Sequence, residues 1–176
     1  MNLYYKELDF IDAFARYRKY LTNLCYKYEN LSSSYTPNGW YYGKEYKSYH
    51  FKNDNNAIFD YSFFEEILPH FLHIETHNTV EKLFNTSQVS VVSRKLHPHI
   101  DLRKCVVTFP IIIKDPIEWY KDNDIICSYE YSKDYPVLIN TSIPHGSINN
   151  THKRILFQIG GFVDSYDFLT VSNLIQ

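Results

Sequence analysis

Four side chains of the 176-residue sequence have the types and spacing for chemistry at a metal. In Leu96-His97-Pro98-His99-Ile100-Asp101 an imidazole and a carboxylate stand two residues apart. On an extended chain, residues two apart point to the same side, so His99 and Asp101 can offer a nitrogen and an oxygen to one point. A histidine from a distant strand would complete a face of two imidazoles and one carboxylate. Such a face leaves positions open on a metal such as iron(II). His145 is the candidate, at the end of the largely apolar run Pro136-Val-Leu-Ile-Asn-Thr-Ser-Ile-Pro-His145. Nine residues on, Arg154 opens the segment Ile155-Leu-Phe-Gln-Ile159. A guanidinium buried at the head of an apolar strand needs an anionic partner, and its planar fork matches a carboxylate.

Other residues compete for these roles. His97 precedes His99 by two, but only His99 forms His-x-Asp. Arg103 continues the alternation of 99 and 101; it could face the same cavity and hold a ligand carboxylate, or pair with Asp101 or solvent. His70, His73 and His77 are spaced three and four apart, yet no carboxylate or cysteine completes a second metal site and Pro69 interrupts a helix there. Taken singly, each of these residues reads as an ordinary surface or structural side chain.

The elements that must position them fall into two halves. Phe10, Ile11, Phe14, Tyr17, Leu21, Leu24, Cys25 and Tyr28 recur at helical steps, with Asp9 as a cap. A polar, Tyr-rich stretch follows, with a turn at Pro37-Asn38-Gly39 and a strand or hairpin within Trp40–Phe51. Its tyrosines could wall a substrate or simply pack. Short helices are expected from about Tyr61 to Leu68, capped by Asp60, and from Asn78, where Asn78 and Glu81 resemble a capping box. From Gln88 on, Gln88–Leu96, Lys104–Ile113, Ile125–Tyr131, Pro136–Asn140 and Arg154–Phe162 read as strands separated by turn residues. Many short strands argue for a sandwich, barrel or jelly roll. One domain over 1–176 is expected, with 1–87 helical and irregular and 88–176 the β core. Trp119 and Tyr120 should pack under the sheet.

Composition narrows the classes. At 44% hydrophobic residues the chain can bury a core. A net charge of -2 without a basic stripe gives no expectation of nucleic-acid binding. No apolar run approaches a membrane span, and the N-terminus lacks the pattern of a signal peptide, so a cytoplasmic protein is expected. Cys25, Cys105 and Cys127 are read as reduced thiols. Frequent Asn, Lys, Ile and Tyr are what AT-rich coding sequences produce, viral ones among them.

His99-x-Asp101, then His145, then Arg154, in that order and at those gaps, resembles the signature of the 2-oxoglutarate and iron(II)-dependent oxygenase superfamily. Pro136–His145 is similar to the strand carrying the distal histidine in small, phage-type and hydroxylase-like members. Arg103, Cys105 and Phe109-Pro110 resemble the strand after the first ligand pair. The resemblance spans about residues 88–162. It implies a double-stranded β-helix, mainly β with flanking helices. It also implies Fe(II) on His99, Asp101 and His145, 2-oxoglutarate as co-substrate with its C5 carboxylate on Arg154, and O2 as oxidant. The reaction implied is hydroxylation of a C–H bond of a peptide side chain, amino acid or small molecule, with decarboxylation of 2-oxoglutarate to succinate. Many members carry a small polar residue two after the arginine; Leu156 stands there, so a hydrogen bond to 2-oxoglutarate would come from elsewhere, with Tyr129 and Tyr131 as candidates. Arg103 could hold the C1 carboxylate or a substrate carboxylate. Two rivals are a metal-binding cupin that does not use 2-oxoglutarate, and a non-catalytic β-sandwich module, which predicts an exposed Arg154.

Overall fold

The strand pattern of the second half resolves into two antiparallel sheets in the computed structural model, which describes residues 2–31, 40–42, 46–53, 59–92, 95–163 and 165–175. The elements run β1 (Tyr5–Glu7), α1 (Ile11–Leu31), β2 (Trp40–Tyr42), β3 (Tyr46–His50), α2 (Ser62–Ile67), α3 (Val80–Asn85), β4 (Ser87–Val92) and β5 (Leu96–His99). There follow β6 (Cys105–Ile112), β7 (Ile117–Lys121), β8 (Asp124–Tyr129), β9 (Val137–Asn140), β10 (His145–Ser147), β11 (Arg154–Ile159) and α4 (Phe168–Leu174). One sheet has the order β1-β9-β6-β11-β4-β3-β2 and the other β5-β10-β7-β8. This is a double-stranded β-helix, as the sequence suggested. The amino-terminal half does more than flank it, since β1, β2 and β3 extend the larger sheet.

Alternation sets which residues face where. On the larger sheet, Val89, Val91, Val107, Phe109, Leu138, Ile155, Phe157 and Ile159 join one apolar cluster with Phe14, Leu21, Phe63 and Phe64 from α1 and α2. The other face looks toward the smaller sheet. At one end the sheets close over Val106, Ile117, Trp119, Val137 and Ile139. Trp119 is fully buried and its indole N–H donates to the Asn140 carbonyl at 2.9 Å, so this aromatic is a packing residue.

The helices begin where local chemistry permits, with two corrections to the expected caps. Asp9 makes no side-chain hydrogen bond among the described residues; α1 starts at Ile11, and Phe10 is 2% exposed in the core. Thr79, not Asn78, caps α3 by accepting from the Lys82 N–H at 3.2 Å, while the Asn78 side-chain oxygen accepts from the Lys82 ammonium. Asp60 does accept from the Ser62 N–H at the start of α2. The β7–β8 hairpin turns through Asp122 and Asn123, both at positive φ, the conformation that a tight two-residue turn demands. The Pro37-Asn38-Gly39 turn lies outside the described residues. The three cysteines are free. No helix among the described residues is long and apolar enough to cross a membrane.

Candidate metal centre

The pairing of β5 with β10 brings the two histidines together. His145 and His99 are direct partners in the register, and their ring centroids lie 4.5 Å apart. A Cβ at Gly146 would stand 2.6 Å from the Leu96 carbonyl oxygen, so glycine there is what lets β10 lie this close to β5. Asp101 leaves the end of β5 in a loop pinned by its own N–H, which donates to the Thr141 carbonyl at 3.1 Å.

Hydrogen bonds fix the direction of both rings. His99 Nδ1 lies 2.9 Å from the His97 carbonyl and His145 Nδ1 lies 3.0 Å from that of Ile143. A carbonyl can only accept, so in each neutral ring Nδ1 carries the proton and Nε2 the lone pair. Both Nε2 atoms turn to Asp101, at 3.4 Å from Oδ1 for His99 and 3.7 Å from Oδ2 for His145. Burial lowers the pKa of His145 against the opposing pull of Asp101. Burial pushes the Asp101 carboxyl up, but the neighbouring His99, His145 and Arg103 outweigh it and hold it below the usual range. Three electron-pair donors facing one point repel one another unless a cation sits among them. His99, Asp101 and His145 can hold a metal ion, with ligand atoms within 4.8 Å of one another, and no other such group of three occurs among the described residues. The set fits the open two-imidazole, one-carboxylate face.

His99, Asp101, His145, Arg154, Arg103 and Tyr131 all line one cavity of about 510 Å³, within the usual range for small-molecule sites of roughly 300–1,000 Å³. Arg154 is 2% exposed. Its Nη2 donates to the Ser147 hydroxyl, and among the described residues its Nε has no partner and no carboxylate pairs with it. The nearby acids are otherwise engaged: Glu118 accepts from Tyr120, and Asp115 accepts from the Thr151 and His152 backbone. Tyr131 faces Arg154 across the cavity wall; burial pushes its phenol up to about 12, with Arg154 acting in the opposite sense.

Tyr129 is not brought into the cavity. Its hydroxyl donates to Glu7 at 3.0 Å and its ring packs on Tyr5 at 4.2 Å; it shares the inward face with its register partner Ile117 but is taken up by contacts with β1. His97 is exposed, and its carbonyl orients the His99 ring. His77 is a buried structural residue, bonded to the Gly160 carbonyl at 2.7 Å and stacked on Phe162 at 4.1 Å. Of the tyrosines considered as a substrate wall, Tyr46 lines the cavity and Tyr49 is fully buried elsewhere; the side chains of the others lie outside the described residues.

The sequence reading missed Ser147, which steers Arg154, and the polar floor of the cavity. That floor is a row across the sheet, His50–Gln88–Gln158, in register through β3, β4 and β11, with buried Thr108 of β6 behind Gln158. The alternation Gln88-Val-Ser90-Val and the lone Gln158 in an apolar strand were signals for it.

No family model matches this sequence, and no curated protein matches it either. Solved structures do. JOX2, solved with 2OG, Fe and JA, superposes with a TM-score of 0.53 at 12% identity, covering 90% of this chain and 68% of that one. A Neurospora crassa protein, C-terminally truncated and in apo form, gives 0.52 at 11% identity over 84% and 78% of the two chains. The full-length Neurospora crassa protein with alpha-KG and 5-formyluracil gives 0.50 at 11% over 81% and 69%. The fold of this chain is therefore the double-stranded β-helix that it shares with these structures, among them one solved with 2OG and Fe.

Proposed function

We propose that this chain is an Fe(II)- and 2-oxoglutarate-dependent dioxygenase that hydroxylates a C–H bond of a small molecule, amino acid or peptide side chain. The observation that carries the reading is the convergence of His99 Nε2, His145 Nε2 and the Asp101 carboxylate beside a buried arginine that no carboxylate of the described residues pairs with. The first three would hold the iron. Arg154 would take the C5 carboxylate of 2-oxoglutarate, a charge-assisted contact strengthened by burial, with Ser147 holding the guanidinium in place. When bound, iron and 2-oxoglutarate supply the activation of O2: the balance is substrate C–H, 2-oxoglutarate and O2 to substrate C–OH, succinate and CO2. The protein's own part is orientation and exclusion of water, for which Val92, Val106, Ile117, Ile139 and Leu156 give the cavity apolar walls. Neighbours solved with 5-formyluracil and with JA support a small-molecule substrate.

A non-catalytic module predicts an exposed Arg154, against its 2% exposure. A cupin without 2-oxoglutarate has no use for this arginine. The test is anaerobic titration of metal-free protein with Fe(II) and then 2-oxoglutarate, watching the weak visible charge-transfer band. The band is expected, lost in His145→Ala and weakened in Arg154→Ala. Iron binding without a band would favour the cupin; binding of neither would favour the module.

A further inference from the structure

The cavity contains a second cation that the proposed reaction leaves without a role. Arg103 lines it, and its guanidinium lies against Gly160, where a Cβ would come within 2.7 Å of Nη1. Glycine at that position opens the space the side chain fills. The loop beneath it is fixed, since the Thr141 hydroxyl donates to the Arg103 carbonyl at 2.8 Å. Yet the half-buried guanidinium makes no hydrogen bond and no ion pair among the described residues. The carboxylate whose charge bears on it most is Asp101, and Asp101 is turned to the two histidines. A cation withdrawn from water without a counter-ion is unfavourable, so the site calls for an anion that the described residues do not supply.

That anion is distinct from the one at Arg154. Gly160 lies six residues beyond Arg154 along one strand and its end, about 20 Å at ~3.3 Å per residue. The two guanidinium groups therefore approach the metal face from opposite ends: the charge of Arg154 bears on His145 and that of Arg103 on Asp101. In the oxygenase reading, on which this inference rests, the C5 carboxylate of 2-oxoglutarate occupies Arg154 and its other end is at the metal. Arg103 is then surplus to the co-substrate. Next to it His50, Gln88, Ser90 and Gln158 line the cavity with hydrogen-bonding groups. Gln88 donates to Gln158 at 3.0 Å and Gln158 donates to Thr108 at 3.2 Å, while Gln88 Oε1 accepts nothing.

We infer that Arg103 is the specificity-determining residue of the substrate site, pairing with a carboxylate of a small, polar carboxylic acid that reaches the metal from the end opposite Arg154. Planar fork and planar carboxylate match in two parallel hydrogen bonds, and an uncharged amide at the same place would leave the cation unpaired.

The probe set is the free L-amino acids and their N-acetyl derivatives, each paired with its C-terminal amide, added to anaerobic protein loaded with Fe(II) and 2-oxoglutarate. At least one acid is expected to shift the visible band and, on admitting O2, to raise succinate formation at least tenfold, with its amide inert. Arg103→Ala should keep the 2-oxoglutarate band with its half-saturation within twofold and lose the response to the acid by at least tenfold; Arg103→Lys should recover part of it. The proposal is overturned if no acid exceeds its amide, or if Arg103→Ala responds as the parent does. Loss of the 2-oxoglutarate band in Arg103→Ala also overturns it, by assigning the arginine to the co-substrate. Absence of the band in the unsubstituted protein is a separate failure, which removes the oxygenase reading and this inference with it.

Discussion

Along β11 neighbouring residues live in opposite surroundings. Ile155, Phe157 and Ile159 are fully buried on the helix side, where Phe157 meets the rings of Phe63 and Phe109 at 5.7 Å. Arg154, Leu156 and Gln158 face the cavity. β4 repeats the division, with Val89 and Val91 against the helices and Gln88 and Ser90 on the cavity floor. One face is held by aromatic packing and the other by side-chain hydrogen bonds, such as Ser90 to Gln158 at 2.7 Å. A slip of one residue would exchange them, placing Arg154 among phenylalanines. The same register that buries the core therefore aims the site. Stability and chemistry sit on one strand and should respond to different substitutions.

The strongest way to break this comparison is Asp101→Ala. It removes one proposed ligand from a partly exposed, open face without opening a hole in the core. Turnover should fall by at least ~1,000-fold, about 4 kcal/mol, with metal binding lost. Metal-free protein should keep its urea midpoint to within ~1 kcal/mol of stability. Collapse of the fold in this variant would show that the site face also holds the sheets together.

The reciprocal experiment is Phe157→Ala. Deleting a fully buried ring surrounded by other rings should cost about 3–5 kcal/mol, read from urea unfolding. In the protein that remains folded, the Fe(II) and 2-oxoglutarate band should persist with its half-saturation little changed. A shift beyond tenfold would mean that the two faces are coupled through the backbone of β11.

The sequence revealed this division unevenly. His99, Asp101, His145 and Arg154 were legible because their spacing obeys strand alternation and their types are costly to bury without purpose. The strands of the larger sheet in the second half were legible because β-branched and aromatic residues alternate there. β7 was not, since Ile117-Glu-Trp-Tyr-Lys121 is too short and polar to stand out, and its pairing with β10 is a tertiary fact. β10 itself is three residues ending a turn, with no periodicity to detect. Tyr129 was misplaced as a cavity residue because β1 covers it: it shares the inward face with Ile117, but Glu7, 122 residues away, and Tyr5 engage it, a tertiary contact with no local signal. The carbonyls that orient the two histidines carry no side-chain signature at all.

A sharper test of the cavity face is Arg154→Ala. Removing the buried guanidinium should raise the half-saturation for 2-oxoglutarate about 100-fold, ~3 kcal/mol at 1.4 kcal/mol per tenfold, while Fe(II) binding stays within twofold. Arg154→Lys should fall between, because an ammonium keeps the charge but loses the fork. If both variants bind 2-oxoglutarate as the parent does, the co-substrate's carboxylate lies elsewhere in the cavity.

The smallest effect concerns the residue that joins the two faces at the end of β11. His77 is fully buried, packs on Phe162 and bonds the Gly160 carbonyl, directly under the guanidinium of Arg103. Burial lowers its pKa from 6.5 to about 4, the Gly160 bond opposing and Lys82 reinforcing. Between those values the unfolded chain binds a proton that the folded chain refuses. Its contribution is therefore fully present above pH 6.5 and is lost as pH falls toward about 4, on the order of 2 kcal/mol between pH 7 and 5. Burial lowers His50 to about 4 as well, with Arg103 and Lys52 adding to the shift, so the slope must be divided between them. His77→Gln, whose amide can still donate to Gly160, should cost some stability at pH 7 and flatten the decline toward pH 5 in urea unfolding series. A slope unchanged in His77→Gln would assign the acid sensitivity to His50 and the cavity floor.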